Sequence, residues 1–148
     1  MKGLHRLIGG FCLLWLPLAC HASSYDRYDS DPSHGYDCDA IRDKDKRRYC
    51  EALATDDRGD CRAISDPDIL RLCKARVNDD RSDCEAIGNR DMRRYCRASQ
   101  GSITSDCSSI HDRDGRALCE AEASNSNDTC QTIRDRDLRN LCNVKVPR

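Results

Sequence analysis

Apolar residues along this chain recur with the spacing of amphipathic helices, and short polar stretches separate them. The clearest example begins after residue 66, where the apolar stripe lies close to the i, i+3, i+4, i+7 pattern at Ile69, Leu72, Cys73 and Ala75. Asp66 and Pro67 stand just before it, where Asp is favoured as an N-cap and Pro at the first helical position. The pattern predicts a helix of about ten residues that begins here.

A shorter helix is predicted upstream of each long one. It begins after a capping residue directly before a cysteine, which in the five copies is Asp37, Asp60, Asp83, Asp106 or Thr129. It carries that cysteine and an isoleucine three residues later on one face. Closing stretches such as "VNDDRSD" are rich in turn residues and predict loops. Each unit is therefore predicted to form a helical hairpin.

The hairpin pattern occurs five times with a period of 23 residues, over 38–60, 61–83, 84–106, 107–129 and 130–148. The units approximate C-x-x-I-x-[DN]-x-D-x-R-x-[YL]-C-x-A, in which the fourth residue is always Ile and the eighth is always Asp. A single hairpin can bury its apolar face only against its neighbours. The predicted fold is therefore all-α, with five tandem 23-residue disulfide-stapled helical hairpins stacked as a short solenoid.

The N-terminal residues predict export. Lys2 and Arg6 give a positive region before an apolar stretch, 7–18, that is too short to span a bilayer. This predicts a signal peptide over 1–22 and a periplasmic or secreted protein. Alternatively, "LPLAC" resembles a lipobox and would make Cys20 the lipid anchor of an envelope lipoprotein, the only expected membrane attachment. Residues 23–37 carry no copy of the repeat and are predicted to be a flexible polar leader.

The composition of the mature chain predicts a thin core that needs crosslinks. Phe11 and Trp15, the only Phe and the only Trp, lie in the signal peptide. Without them, large apolar side chains are too few to stabilise a broad core. Removing Lys2 and Arg6 leaves 23 basic against 26 acidic residues, which gives no basic excess and makes nucleic acid an unexpected partner.

The cysteines predict a disulfide framework. Of 12 cysteines, Cys12 and Cys20 lie in the signal region, and the other ten alternate at separations of 12 and 11 residues. Pairing within units uses all ten, whereas pairing between units leaves Cys38 and Cys142 without partners. We therefore favour the within-unit pairs Cys38–Cys50, Cys61–Cys73, Cys84–Cys96, Cys107–Cys119 and Cys130–Cys142. Because an unbroken helix would separate such cysteines by about 18 Å, the helix must break at the sixth position.

The stretch "DCRAISDPDILRLC", residues 60–73, resembles the disulfide-pinned hairpin that opens LprI-like lysozyme-inhibitor domains of bacterial envelope proteins. The shared features are Asp60 before Cys61, the small residue Ala63, Pro67 in the turn, and Cys73 twelve residues after the first cysteine. The resemblance covers about fourteen residues in each unit. It implies a hairpin disulfide and an exported protein that binds and blocks a lysozyme, but it identifies no inhibitory residue.

The paired aspartates resemble the start of a calcium loop, but a structural role fits them better. The third ligand position is Arg47, Leu70, Arg93, Arg116 or Arg139, none of which suits an oxygen-liganded cation, and the closing Glu is missing. We predict that the sixth residue caps the helix and that the eighth places negative charge in its first turn. The tenth-position Arg is predicted to pair with the capping Asp four residues back. No metal site and no cofactor are expected, and a calcium-binding array remains an alternative.

No catalytic constellation is visible, so the protein is not expected to be an enzyme. There is no Gly-x-Ser-x-Gly, and the aspartate pairs recur in all five units, which suits structure better than one active site. The cysteine spacings fit neither a zinc knuckle nor a redox C-x-x-C site.

The positions that differ between units are the candidates for binding, because solenoids commonly bind through their variable faces. They are the turn residues Arg42, Ser65, Gly88, His111 and Arg134, with the loops 54–59, 77–82, 100–105 and 122–128. A stripe of tenth-position Arg residues could face an acidic partner, but we expect each to serve its own hairpin. The predicted function is an envelope protein-binding module, such as an inhibitor or immunity protein against a lysozyme-like enzyme or a delivered toxin. The alternative is a structural or stress-related envelope protein without a single partner.

Overall fold

A computed structural model of the chain describes residues 37–56, 58–101 and 104–147, in which all regular structure is helical. The predicted signal peptide and leader lie outside these ranges, apart from Asp37. Each unit contains one long helix: α1 (Lys44–Thr55), α3 (Pro67–Asn78), α5 (Arg90–Ser99), α6 (Arg113–Ser124) and α8 (Arg136–Lys145). A short helical segment of one or two turns precedes each of them: 3₁₀ segments at Cys38–Ala40 and Thr104–Ser109, and α2 (Arg58–Cys61), α4 (Ser82–Glu85) and α7 (Asn127–Cys130).

The long helices begin where the sixth position predicts. The cap side chain accepts a hydrogen bond from the backbone N–H three residues later in every unit, at 2.7–2.9 Å. The caps are Asp43, Asp66, Asn89, Asp112 and Asp135. This bond satisfies one of the N–H groups that a helix start leaves without an intrahelical acceptor. The predicted capping role of the sixth residue is confirmed.

The predicted start of the short first helix is correct in the first unit, where the turn begins at Cys38 after Asp37, and wrong in the other four. Asp60 and Asp83 lie inside α2 and α4 instead of capping them, and Asp37 makes no capping bond through its side chain. In the other four units the turn begins two or three residues before the cysteine. The isoleucine N–H donates to the carbonyl of the cysteine three residues earlier in every unit, at 3.0–3.2 Å. This tight turn leads directly to the cap of the long helix.

The five disulfides pair within units, as the counting argument predicts. The Cα atoms of each pair are 5.6–5.7 Å apart. Each disulfide joins the short helical segment to the second turn of the long helix. The prediction of five disulfide-stapled helical hairpins is confirmed. Five disulfides indicate an oxidising environment.

The five long helices close into a ring. α1 packs against α3, α3 against α5, α5 against α6 and α6 against α8, and α8 packs back against α1. The last hairpin therefore neighbours the first. The sequence predicts a stack of hairpins but not its closure into a ring. The hairpin pattern specifies which units are neighbours along the chain, but it does not specify the rotation from each unit to the next.

The core is a thin layer of small and medium side chains. It consists of the ten disulfide cysteines, the five fourth-position isoleucines and the twelfth-position residues, which are Tyr49, Leu72, Tyr95, Leu118 and Leu141. At the fifteenth position, alanine is buried in four units and allows the helices to approach closely. Most of these groups are small, so the disulfides carry much of the stabilisation that a larger core would supply.

Candidate functional site

The eighth-position aspartates join each hairpin to the next. Each carboxylate accepts hydrogen bonds from the backbone N–H groups at positions five and six of the following unit. Asp45, for example, accepts from Ser65 at 3.0 Å and from Asp66 at 2.8 Å. The same joint is made by Asp68, Asp91, Asp114 and Asp137. The sequence predicts only a charge in the first helical turn at these positions and misses their contact with the neighbouring unit.

The joint that closes the ring uses the same geometry as the other four. Asp137 of the last unit accepts from the N–H groups of Arg42 at 3.0 Å and Asp43 at 2.8 Å in the first unit. Beside it, the Asn140 side chain donates to the Ala40 carbonyl at 2.8 Å. Units one and five are therefore joined as consecutive units are.

These bonds favour the ionised carboxylates. Backbone donation from Asp112 and then from His111 lowers the pKa of Asp91 to about 2. Donation from the next unit likewise lowers the pKa of the other four joint aspartates below its ordinary value. A carboxylate that accepts backbone N–H bonds is a weaker base, because protonation would cost it one of them.

The tenth-position arginines serve their own hairpins, but not through the predicted partner. Arg93, Arg116 and Arg139 each donate to the carbonyl of the isoleucine six residues back, at 2.8–3.1 Å. The predicted pairing with the capping Asp is therefore wrong for Arg116 and Arg139, and the cap of the third unit is Asn89. The guanidinium instead satisfies the carbonyl at the tight turn, which lies beside the helix start.

The five predicted turn candidates are exposed at equivalent places around the ring: Arg42, Ser65, Gly88, His111 and Arg134. We call this set the outer rim. In each unit the frame uses the backbone N–H of the rim residue for the joint and leaves the side chain on the surface. His111 lies within 2.7 Å of an Arg94 nitrogen and 3.5 Å of Asp91, with its side chain 75% exposed.

A second group of residues, which the sequence reasoning missed, meets at the ring axis. We call it the axial cluster, and each unit supplies one member: Tyr49, Arg76, Tyr95, Glu122 and Lys145. Lys145 Nζ lies 2.5 Å from Glu122 Oε1 and donates to the Tyr95 hydroxyl at 2.8 Å. The Tyr95 hydroxyl in turn donates to Glu122. Burial and the neighbouring Glu122 carboxylate raise the pKa of Tyr95 well above its ordinary value, so Tyr95 remains a donor.

The remaining members surround this ion pair. The Lys145 ammonium lies 5.4 and 5.8 Å from the ring centroids of Tyr95 and Tyr49, within cation–π range. An Arg76 nitrogen lies 3.8 Å from Glu122 Oε2. The side chains of Lys145 and Glu122 are only 7% and 14% exposed, so each charge depends on the other for compensation.

The axial cluster lies at one mouth of the ring axis. A cavity of about 680 Å³ is lined by residues from the C-terminal ends of the long helices, among them Leu53, Arg76, Ser99, Glu122 and Lys145, all at the sixteenth position. When the units are aligned, the sixteenth position continues the apolar stripe of the long helix, yet three of its five residues are charged. That charge within an apolar stripe is the signal that could have identified the cluster.

The ring places the two predicted sets of binding candidates at opposite ends of its axis. The outer rim precedes the N-termini of the long helices, whereas the closing loops follow their C-termini, and Asp56, Gly101 and Asn125 line the cavity there. A single partner surface therefore contacts one set or the other.

Within the described ranges, no three His, Cys, Asp or Glu side chains are grouped as metal ligands. The aspartates that resemble a calcium loop are bonded to backbone N–H groups of caps and joints. Among the same residues, no helix has the length and apolar character needed to cross a membrane. Comparisons with protein-family models, with curated proteins and with solved structures each give no match.

Proposed function

We propose that this protein is an exported, non-enzymatic module that binds another protein in the cell envelope. One observation carries the proposal: residues that repeat between units build the frame, whereas the outer-rim residues at the fifth position differ between units and are exposed. The cysteines, isoleucines, caps and joint aspartates all bond or pack within the ring. At the N-terminal face, the exposed rim side chains therefore differ from unit to unit.

The frame suits a binding role because it holds its surface in one conformation. Five staples and a closed set of joints fix the backbone of every rim residue. A surface that is already ordered loses little conformational entropy when it binds, and this favours affinity. Five disulfides fit a periplasmic or secreted location, or an envelope lipoprotein anchored through Cys20.

The target class we propose is a lysozyme-like enzyme or a delivered toxin, which the protein would inhibit or neutralise. The resemblance of residues 60–73 to the hairpin of LprI-like inhibitor domains supports this choice. Inhibition by a rigid binder needs no catalytic group on the binder, because occupation of the target's active-site cleft is sufficient.

The experiment compares three forms of the oxidised mature protein as baits in envelope extract. The first is the natural sequence, and the second replaces Arg42, His111 and Arg134 by Ser. The third is a matched control that replaces the exposed Arg62, Lys74 and Glu120 by Ser. We expect one hydrolase or toxin to bind the first and third forms but not the second, and its purified activity to fall on binding. No enrichment by any form over an unrelated disulfide-rich bait would contradict the proposal.

A further inference from the structure

The ninth-position residues surround the ring axis at the N-terminal ends of the long helices. They are Lys46, Ile69, Met92, Gly115 and Leu138. All units except the one that contains Gly115 therefore place a long side chain here. An apolar pocket of about 280 Å³ lies at this point, and all five residues line it. The buried twelfth-position residues Leu72 and Leu118 line it as well.

The helix does not require a glycine at position 115. Gly115 donates its N–H to the Asp112 cap at 2.7 Å, but Lys46, Ile69 and Leu138 make the same bond to Asp caps while carrying full side chains. Glycine is also less favourable than alanine inside a helix, by about 1 kcal/mol. The clear consequence of Gly115 is the open space that a side chain would fill.

The size and lining of the pocket favour one large apolar side chain. Its volume is below the range of about 300–1,000 Å³ that is usual for sites of drug-sized ligands. Ile69, Met92 and Leu138 pack against the core but are only half-buried, so apolar surface at the mouth remains to be covered. An apolar anchor in such a pocket is typical of the energetic centre of a protein interface.

The charges around the pocket identify the rest of the partner surface. Four of the five long helices begin with an exposed cation: Lys44, Arg90, Arg113 and Arg136. Arg42 and Arg134 of the outer rim are exposed on the same face. The carboxylates on this face are the caps and joints, which are short and bonded to backbone N–H groups. The cap residues Asp43, Asp66, Asp112 and Asp135 are also exposed, but the Lys and Arg side chains are longer and can contact an approaching surface first.

We propose that this pocket receives an apolar side chain of the protein partner, and that carboxylates flank this side chain on the partner and contact the surrounding cations. This inference rests on the proposed function and adds the chemistry of its contact surface. A second copy of this chain is a poor occupant, because its corresponding face would bring the same cations.

The test uses three seven-residue peptides as probes, so it does not depend on finding the natural partner. The first has a central Phe between Glu residues, the second replaces Phe by Ala, and the third replaces Glu by Lys. The oxidised mature protein is titrated with each while backbone amide shifts are followed by NMR. We expect the first peptide to bind at least about tenfold more tightly than the others and to shift the amides of Met92, Gly115 and Leu138.

Gly115→Leu is the decisive variant, because it fills the pocket with the kind of residue that other units carry. Its Cβ would lie 3.1 Å from Asp112 Oδ1, so the cap must shift by a few tenths of an ångström. Asp caps in three other units already accept a hydrogen bond from a ninth residue that has a full side chain. We expect the first peptide to bind at least about tenfold more weakly and the melting temperature not to fall. Ala86→Leu, which places a leucine at an exposed position outside both the pocket and the outer rim, is the matched control and should bind normally. If Gly115→Leu does not fold, the exposed pair Lys44→Glu and Arg136→Glu provides a second test with the same expected loss.

Equal binding of the three peptides, or full binding by Gly115→Leu, would overturn the inference. So would tighter binding of a peptide with the chain's own sequence 23–36, which would assign the pocket to this chain. The inference and the proposed function can fail separately. If an envelope target binds the natural protein and Gly115→Leu equally well, the inference about the pocket is contradicted but the proposed binding function is not.

Discussion

At the scale of single residues, Asp91 shows how one carboxylate holds two hairpins together. It lies in the first turn of α5, where the helix dipole favours its charge, and it accepts backbone N–H bonds from the next unit. Arg94 donates to it from the same helix at 3.1 Å. A protonated carboxyl would give up part of each of these interactions.

The joints predict acid sensitivity. In an unfolded chain the joint aspartates titrate near pH 4, whereas in the ring their pKa values are lowered, to about 2 for Asp91. The unfolded chain therefore binds more protons in this range, and the free energy of unfolding falls as the pH decreases from about 4 to about 2. We expect the urea midpoint to be constant above about pH 5 and to fall below pH 4. A midpoint that does not change between pH 5 and pH 2 would show that the joints contribute little.

The axial ion pair predicts a strongly non-additive pair of substitutions. Glu122→Gln leaves the buried Lys145 ammonium without its carboxylate and should lower the free energy of unfolding by about 3 kcal/mol. Adding Lys145→Met removes that uncompensated charge and should recover most of the loss. Urea unfolding of the two single variants and the double variant measures the coupling. Losses that simply add in the double variant would contradict the pairing.

At the scale of the hairpin, three local devices act together. The cap starts the long helix, the isoleucine N–H closes the tight turn on the first cysteine, and the disulfide fixes the two arms at a Cα separation of 5.6–5.7 Å. All three lie within 13 consecutive residues of each unit, from the first cysteine to the second.

This locality explains what could be predicted from sequence. The long helices, their caps and the cysteine pairing depend on residues within one unit, and the structure confirms them. The joints could not be predicted in the same way, because Asp45 and Ser65 are 20 residues apart and a first-turn Asp already has a sufficient local explanation. The axial cluster was missed for a related reason: its five members come together only after the ring has closed.

Removing the disulfide of the last hairpin should destabilise the protein as much as removing the disulfide of the central hairpin. Replacing Cys130 and Cys142 by Ala should cost about 2–4 kcal/mol, as much as replacing Cys84 and Cys96. In a ring every unit has two neighbours, so the last hairpin cannot unfold alone without breaking two interfaces. In an open array the last unit has one neighbour and could unfold first. Urea unfolding of the Cys130→Ala/Cys142→Ala variant should therefore give one transition, and a separate early transition would indicate an open end.

At the scale of the whole molecule, closure turns five similar hairpins into one object with two different faces. The N-terminal face has cations around an apolar pocket, and the C-terminal face has a polar cavity over a buried ion pair. The differences between faces arise at positions nine and sixteen, where the units depart from their common pattern. The residues that all units share thus form the frame, and the residues that differ between units determine the charge and polarity of each face.

Closure is the central structural claim, and amide hydrogen exchange at Arg42 and Asp43 tests it most directly. These N–H groups belong to the first unit, so in an open array no preceding unit could supply their acceptor. In the ring they donate to Asp137 at 3.0 and 2.8 Å, as Gly88 and Asn89 donate to Asp68 at 2.7 and 2.8 Å. We predict that Arg42 and Asp43 are protected to the same degree as Gly88 and Asn89, and that Asp137→Ala removes the protection. Exchange of Arg42 and Asp43 at the rate of an unfolded chain, while Gly88 and Asn89 stay protected, would contradict the closed ring.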